Sequence, residues 1–284
     1  MAPFVIREPQ KDEIFKCIKT FLLSFGRPVL ENLEEAKIFW TQLIDNEIGR
    51  FLIAVENGKI IGIGGLFVFQ DVGSIGYMGV LPEYRKQGIG TNIFSELMKL
   101  GTYLRCKTII LYASKFGEPI YKKYGFQGSY YVSGYNLSKK IPKSKAQYQN
   151  VKIAKSLPGW LLNLDKKAVG FNRSYYLNLR VKLGAQILMV ENKGFALLSN
   201  AFSNKRLGPL ISTDLDVSLQ IIKKAISLDA DSLIIPEYAL IADKILPFIN
   251  DENNIEAPNL EMFYGKKLIR KLDYIYALGS YSKG

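Results

Sequence analysis

The chain contains no histidine. That absence removes the commonest general base, imidazole metal ligands and any triad built on histidine. Acid–base chemistry must then fall to carboxylates, tyrosine, lysine, water or backbone groups. Cysteine is nearly absent too. Cys17 and Cys106 have no partner-like spacing, which excludes a disulfide framework and a thiolate metal site, and both are read as buried hydrophobes in separate helical regions. No long apolar run occurs either: the longest uncharged one, Ile60 to Phe69, falls far short of the roughly 20 residues a bilayer-spanning helix needs. Met1 to Glu13 shows no signal-peptide pattern. The expectation is a soluble cytoplasmic protein with no membrane segment and no metal.

What the chain does have is length and charge. Its 284 residues, 48% of them hydrophobic, are enough for two packed domains. A formal net charge of +12 and a pI near 9.4 favour anionic partners: nucleic acid, acidic protein surfaces or a phosphorylated cofactor. The lysines are scattered, however, and only Lys139, Lys140, Lys143 and Lys145 cluster, a pattern of a solvated surface more than of a nucleic-acid interface.

The chain is organised around Gly76 to Thr91, Gly-Tyr-Met-Gly-Val-Leu-Pro-Glu-Tyr-Arg-Lys-Gln-Gly-Ile-Gly-Thr, which runs into the helical pattern Asn92 to Leu100. An apolar strand ends near Val80, Pro82 makes a turn, and a basic glycine-containing loop opens a helix. Glycines at 88 and 90 let a ligand approach the backbone. The unpaired N–H groups of the first helical turn favour an anion, and Arg85 and Lys86 add positive charge. The alternative is a mere turn at a helix start.

The flanks are informative. Val5 to Glu8 is a short strand, Ile14 to Leu22 an amphipathic helix, and Leu33 to Leu43 a second helix. Phe51 to Val55 and Ile60 to Gln70 are strands of a hairpin turning at Glu56-Asn-Gly-Lys59. Gly62, Gly64 and Gly65 follow that hairpin with no helix opening after them, so they are not a dinucleotide fingerprint. After the helix that ends near Arg105, Thr108 to Ala113 is a doubly buried strand parallel to the one before the loop. Then come a short helix within Ser114 to Phe126, with Gly125 at its end, and a tyrosine-rich strand to Leu137.

The loop Arg85-x-x-Gly88-x-Gly90 resembles the acyl-CoA signature of the GNAT acetyltransferases. A second block, Ser114-x-x-Gly117-x-x-x-Tyr121-x-x-x-Gly125-Phe126, resembles their Asn-x-x-Ala-x-x-x-Tyr-x-x-x-Gly-Phe pattern, departing from it at Ser114 and Gly117. The resemblance covers Phe4 to about Leu137. It implies the GNAT fold, a mixed α/β sheet, and acetyl-CoA as co-substrate. It also implies a binding site made of Met78, Gly79, Val80, Arg85, Lys86, Gln87, Gly88, Ile89, Gly90, Thr91, Ser114 and Tyr121. In this family the acyl-pantetheine lies along the strand before the loop, and a backbone N–H there is the oxyanion donor. Tyr121 aligns with the tyrosine that protonates or positions the leaving sulfur; otherwise it is a packed helix residue.

Ser138 to Asn150 reads as a linker, and the second half of the chain repeats the order of elements. Leu157 to Ala168 and Arg173 to Leu183 are helical. Gln186 to Glu191 and Phe195 to Ala201 form a hairpin, and Leu207 to Ser212 is a third strand. Asp214 caps a helix from Leu215 to Leu228. Ser232 to Ile235 is a strand, Leu240 to Ile249 a helix, and Asn259 to Tyr264 and Tyr274 to Leu278 are closing strands. We read a tandem GNAT chain: residues 1–138 as the acetyl-CoA-binding domain, 139–150 as linker, and 151–284 as a GNAT-like domain. No basic glycine loop lies between Ser212 and Asp214, so the second copy lacks the phosphate cradle. Gly170 to Arg173, Leu207 to Leu210 and Ala277 to Gly284 also resemble the second domain of tandem GNAT proteins. Arg173, near Asp165, is expected as a surface ion pair.

The expected reaction is N-acetylation of a primary amine by direct attack in a ternary complex. Glu31, Glu34, Glu35 and Asp71 are possible bases through water, none preferred, and the amine acceptor is not legible. The other readings are a non-catalytic acyl-CoA-binding module and a basic RNA- or ribosome-associated protein.

Overall fold

The computed structural model describes residues 4–29, 33–138, 148–201, 204–239, 244, 246–248 and 258–282. Contacts divide the chain into two compact units, Met1–Tyr112 with Phe263–Lys266, and Ala113–Met262 with Lys267–Gly284.

In the first unit β1 (Val5–Arg7), β2 (Gly49–Glu56), β3 (Lys59–Phe69) and β4 (Val72–Val80) form an antiparallel run, and β4 pairs in parallel with β5 (Thr108–Ala113). The β2–β3 hairpin closes as the sequence predicts, with Glu56 opposite Lys59 and both Asn57 and Gly58 left-handed, a two-residue turn whose twist matches that of the strands. Helices α1 (Ile14–Ser24), α2 (Glu34–Asp45) and α3 (Ile89–Tyr103) bury one face each. On α1 that face is Ile14, Cys17, Ile18 and Leu22, the three- and four-residue spacing of an amphipathic helix. The glycines of β3 serve packing: a Cβ on Gly64 would lie 2.6 Å from Met78 Sδ and 2.8 Å from Ile93 Cγ2, so β3 comes closer to α3 than a side chain permits.

One irregularity shapes this unit. Gly65 pairs with Gly76 and Ile63 with Gly79, so Gly64 faces both Tyr77 and Met78, a β-bulge in β4. Tyr77 sits there with φ of +56°. The parallel pairing of β4 with β5 runs from Val72↔Thr108 to Ile75↔Leu111 and, among the described residues, no further.

In the second unit β6 (Gln127–Asn136) pairs with β11 (Ser232–Pro236), and β11 in parallel with β10 (Asn204–Ser212). β9 (Gly194–Ala201), β8 (Gln186–Val190) and β7 (Lys152–Ala154) follow in antiparallel order, while β13 (Ile275–Ala277) pairs with β10 from the other side. Of β12 (Asn259–Gly265), Asn259 to Met262 belong to this unit and the rest to the first. Helices α4 (Glu118–Lys123), α5 (Gly159–Val169), α6 (Ser174–Lys182) and α7 (Leu215–Ile226) complete it. By contacts α4 and β6 group here, although in sequence they precede the linker. Its core includes Leu188, Leu198, Leu207, Ile221, Ile222 and Leu233.

Several expectations change. Arg173 and Asp165 do form an ion pair, but a buried one: they are 2% and 1% exposed, with Nε to Oδ2 at 3.0 Å and Nη2 to Oδ1 at 2.9 Å. Spacing predicts the pair but not its depth, because the apolar elements packed over it are remote in sequence. Cys106 lies in the turn after α3, not in a helix, and is half-buried. Burial pushes the Cys17 thiol up to about 12 and raises that of Cys106, so both stay protonated and act as hydrophobes. The lysines at 139, 140, 143 and 145 lie outside the described residues, as does most of the helix expected over Leu240 to Ile249, of which Leu246–Phe248 is a 3₁₀ turn. β7 had no sequence signal, since three residues with largely exposed side chains carry no alternation. Among the described residues no helix is long and apolar enough to cross a membrane.

Burial of the Arg173–Asp165 pair predicts that Asp165→Ala, which leaves the guanidinium without its carboxylate, lowers unfolding free energy by about 3–5 kcal/mol, while Asp165→Leu with Arg173→Met recovers most of that loss. Urea unfolding of the three proteins checks it; a single-variant loss within about 1 kcal/mol, typical of a surface pair, would refute the buried assignment.

Candidate functional site

The loop after β4 is arranged as an open helix N-terminus. Pro82–Tyr84 forms a 3₁₀ turn, Lys86 and Gly88 are both left-handed, and α3 starts at Ile89 with Gly88 as its N-cap. No side chain caps α3 and no acidic residue lies in its first turn. The N–H groups of Ile89, Gly90 and Thr91 therefore precede any intrahelical acceptor, and the positive end of the helix dipole stays uncompensated. Space exists for a ligand: a Cβ at Gly88 would meet only Asn92 Nδ2, at 3.8 Å, and one at Gly90 only Val80 Cγ2, at 3.5 Å. Lys86, Gln87 and Gly88 are exposed, and Ile89 anchors the helix in the core.

Arg85 does more than add charge. Its Nε donates to the Val80 carbonyl at 3.2 Å and its Nη2 to the Ser24 carbonyl at 2.5 Å. The guanidinium thus ties the loop to the end of β4 and to the last turn of α1. Sequence alone does not reveal this, since Ser24 lies 61 positions away.

The second part of the site is the free edge of β4. Past Ile75 the strand leaves β5, and Gly76 to Val80 become partly exposed. Among the described residues no strand pairs with Met78, Gly79 or Val80 on that edge, and the Val80 carbonyl there accepts from Arg85. α1 packs so closely against the other side that a Cβ on Gly79 would collide with the Ser24 hydroxyl. The bulge turns Tyr77 into an aromatic nest, its ring 4.7 Å from Trp40, 4.9 Å from Phe21, 5.7 Å from Phe67 and 5.9 Å from Phe51. Sequence reasoning missed this nest. Its only local signal is the pair of glycines flanking Tyr77-Met78.

Tyr121 is on α4. Its ring lies 6.2 Å from that of Phe126, and a Cβ on Gly117 would come within 2.8 Å of Tyr121 Cε2. Glycine at 117, where the family pattern has alanine, thus makes room for the tyrosine ring. Burial pushes the Tyr121 phenol up to about 12, so the hydroxyl keeps its proton at ordinary pH. The Ser114 hydroxyl accepts from the Gly117 N–H at 3.3 Å and its carbonyl from the Glu118 N–H at 3.0 Å. Ser114 therefore holds the turn into α4.

The possible bases fare unevenly. Glu31 lies outside the described residues. Asp71 precedes β4, a strand of nine residues, and so stands roughly 25–30 Å from the loop at the strand's far end; its carboxylate pairs with Lys107 at 3.0 Å. Glu34 and Glu35 open α2, with Glu34 beside Lys37 at 3.7 Å. A carboxylate that sequence reasoning passed over is the buried Glu261, which takes Arg270 at 2.6 and 2.8 Å and the Tyr130 hydroxyl at 2.5 Å. With both oxygens engaged it is an anchor of the second unit. Among the described residues no group of three or more cysteine, aspartate and glutamate side chains is placed to hold a metal ion.

Comparison with known proteins finds the same kind of domain in each half of the chain. Residues 47–128 match one model of an acetyltransferase (GNAT) domain and residues 161–277 another. The uncharacterized N-acetyltransferase YitH of Bacillus subtilis is 28% identical over 246 residues, 80% of this chain and 82% of its own. A candidate ribosomal protein bS18-alanine N-acetyltransferase of the same organism is 26% identical over 92 residues, covering 31% of this chain and 61% of its own. The crystal structure of a candidate acetyltransferase from Pyrococcus horikoshii superposes with a TM-score of 0.87 at 29% identity, covering 100% of this chain and 97% of that one. With an open helix N-terminus after a bulged strand in one half, and a match to the same kind of domain in each half, the chain belongs to the GNAT acetyltransferases as a tandem protein.

Proposed function

We propose that this acyltransferase moves an acetyl group from acetyl-CoA to a primary amine by direct attack in a ternary complex. The observation that carries the reading is the end of β4–β5 pairing at Ile75↔Leu111, which frees a strand edge leading straight to an uncapped helix N-terminus. An extended chain with amides suits such an edge, and a pyrophosphate suits such a terminus. Bound acetyl-CoA would supply a thioester whose carbonyl carbon bonds to the amine nitrogen while the C–S bond breaks and its electron pair leaves on sulfur.

The chain's own residues do the rest. N–H groups of Ile89, Gly90 and Thr91 bind phosphate oxygens, with Lys86 adding charge and Gln87 bordering the loop. Arg85 keeps that loop in register with β4. Backbone groups of Met78, Gly79 and Val80 hold the arm, and an N–H among them faces the developing oxyanion. Ser114 positions α4, and Tyr121 donates a hydrogen bond to the departing sulfur. A phenol near 12 is a far weaker acid than a thiol near 8.5, so Tyr121 steadies the thiolate without surrendering its proton. The amine's proton passes to water. Residues 1–138 are the proposed cofactor domain and 151–284 its partner domain. Similarity to a relative named for an alanine N-acetyltransferase of a ribosomal protein puts a protein α-amine first among acceptors.

Three measurements test the assignment. Gly90→Glu sets a carboxylate at the open helix end without disturbing a left-handed backbone, and is expected to weaken acetyl-CoA binding by about tenfold or more, roughly 1.4 kcal/mol; calorimetry that finds unchanged affinity refutes the loop assignment. Tyr121→Phe is expected to lower kcat at least about tenfold while the acetyl-CoA Kd stays within about twofold, and a fully active variant would return Tyr121 to the core. Thiol release from acetyl-CoA, measured across protein N-terminal peptides, lysine peptides and small amines, is expected to rise with the first class; no release with any class would sink the catalytic reading.

A further inference from the structure

The second domain repeats the bulged strand of the first. In β10, Leu207 pairs with Leu198 and Leu210 with Ala196, so that Gly208 and Pro209 face Leu197 alone. In β4, Gly76 and Gly79 bracket Tyr77 and Met78 in the same two-against-one arrangement. The bulges align Leu207 with Gly76, Leu210 with Gly79 and Ile211 with Val80. Parallel pairing stops within one residue of the same point, at Ile75↔Leu111 in one and at Leu207↔Leu233 in the other.

In the second domain the opening beyond that point is filled. β13 enters it and pairs antiparallel with β10, Leu210 with Ala277 and Ile211 with Ile275, while Leu278 bridges to Ile234 of β11. The fit is tight: a Cβ on Gly208 would collide with the Leu278 carbonyl, and Ile275, Ala277 and Leu278 are all buried. The helix end is closed as well. Where α3 has no side-chain cap, the Asp214 carboxylate accepts from the N–H groups of Asp216 at 2.8 Å and Val217 at 3.2 Å at the start of α7. Burial raises the phenol of Tyr276 on β13, and Asp214 adds to that rise.

We infer that the second domain is liganded by its own chain: the backbone of Ile275–Leu278 stands where the first domain binds the amide-bearing arm of acetyl-CoA, and the Asp214 carboxylate stands where it binds the pyrophosphate. The inference rests on the cofactor reading of the first domain. It goes beyond a missing loop, because the cleft is occupied and restoring basic residues near Asp214 would not open it. Extended backbone and the pantetheine arm share one recognition chemistry, amide N–H and C=O groups offered to a strand edge, which is why a peptide can substitute. The C-terminal segment thereby removes an edge that would otherwise be unpaired.

Calorimetry and hydrogen exchange on the full chain, with and without saturating acetyl-CoA, test this. The expected result is one acetyl-CoA per chain, with amides of 76–80 slowing about tenfold or more on binding, while those of Leu210, Ile211 and 275–278 exchange slowly from the start and shift less than about twofold. Two acetyl-CoA per chain, rapid exchange over 275–278 in the free protein, or slowing there on binding overturns the inference. Absence of any binding overturns the cofactor reading and the inference with it, a result separate from a second occupied site.

Discussion

A strand that leaves its neighbour part-way is the constraint on which this molecule depends. Among the described residues β4 pairs with β5 only as far as Ile75↔Leu111; the bulge at Tyr77 and Met78 follows, and the rest of the strand runs on without a neighbouring strand on that side. Backbone polar groups do not stay unpaired at low cost inside a protein. An opening of this kind must be met by water, by a ligand or by more chain. In the second domain it is β13 that fills the opening beside β10.

The features around the bulge come from holding it in place. Gly64 admits Met78 and α3 against β3, and Gly79 admits the last turn of α1. Arg85 then ties that turn to the loop through the carbonyls of Ser24 and Val80. Tyr77, in a left-handed conformation that costs a non-glycine residue energy, is compensated by the rings of Phe21, Trp40, Phe51 and Phe67. These contacts make the strand edge and the helix terminus one rigid surface, which a binding site needs to avoid ordering costs when its ligand arrives.

Two similar frames differ at the same place in the fold. A shared bulge means that the architecture was copied whole, but the second copy caps its helix with Asp214 and completes its sheet with the C-terminal segment. A carboxylate at a helix N-terminus and a phosphate there are alternatives for the same N–H groups. One residue type at that position separates a closed terminus from an open one.

The sequence by itself determined most elements, because period and punctuation are local. The helix faces of α1 and α3, the Asn57-Gly58 hairpin, the glycine loop before Ile89 and the Asp214 cap all depend on residues within a few positions of one another. It also determined the family, through Arg85, Gly88, Gly90, Tyr121, Gly125 and Phe126. Only tertiary structure decided the rest. The depth of Arg173–Asp165, the grip of Arg85 on Ser24, the exclusion of Asp71 by distance and the entry of β13 beside β10 each depend on segments that folding brings together from far apart in the chain. No local pattern records which strand edge is left open, since an edge is defined by the neighbour that departs from it.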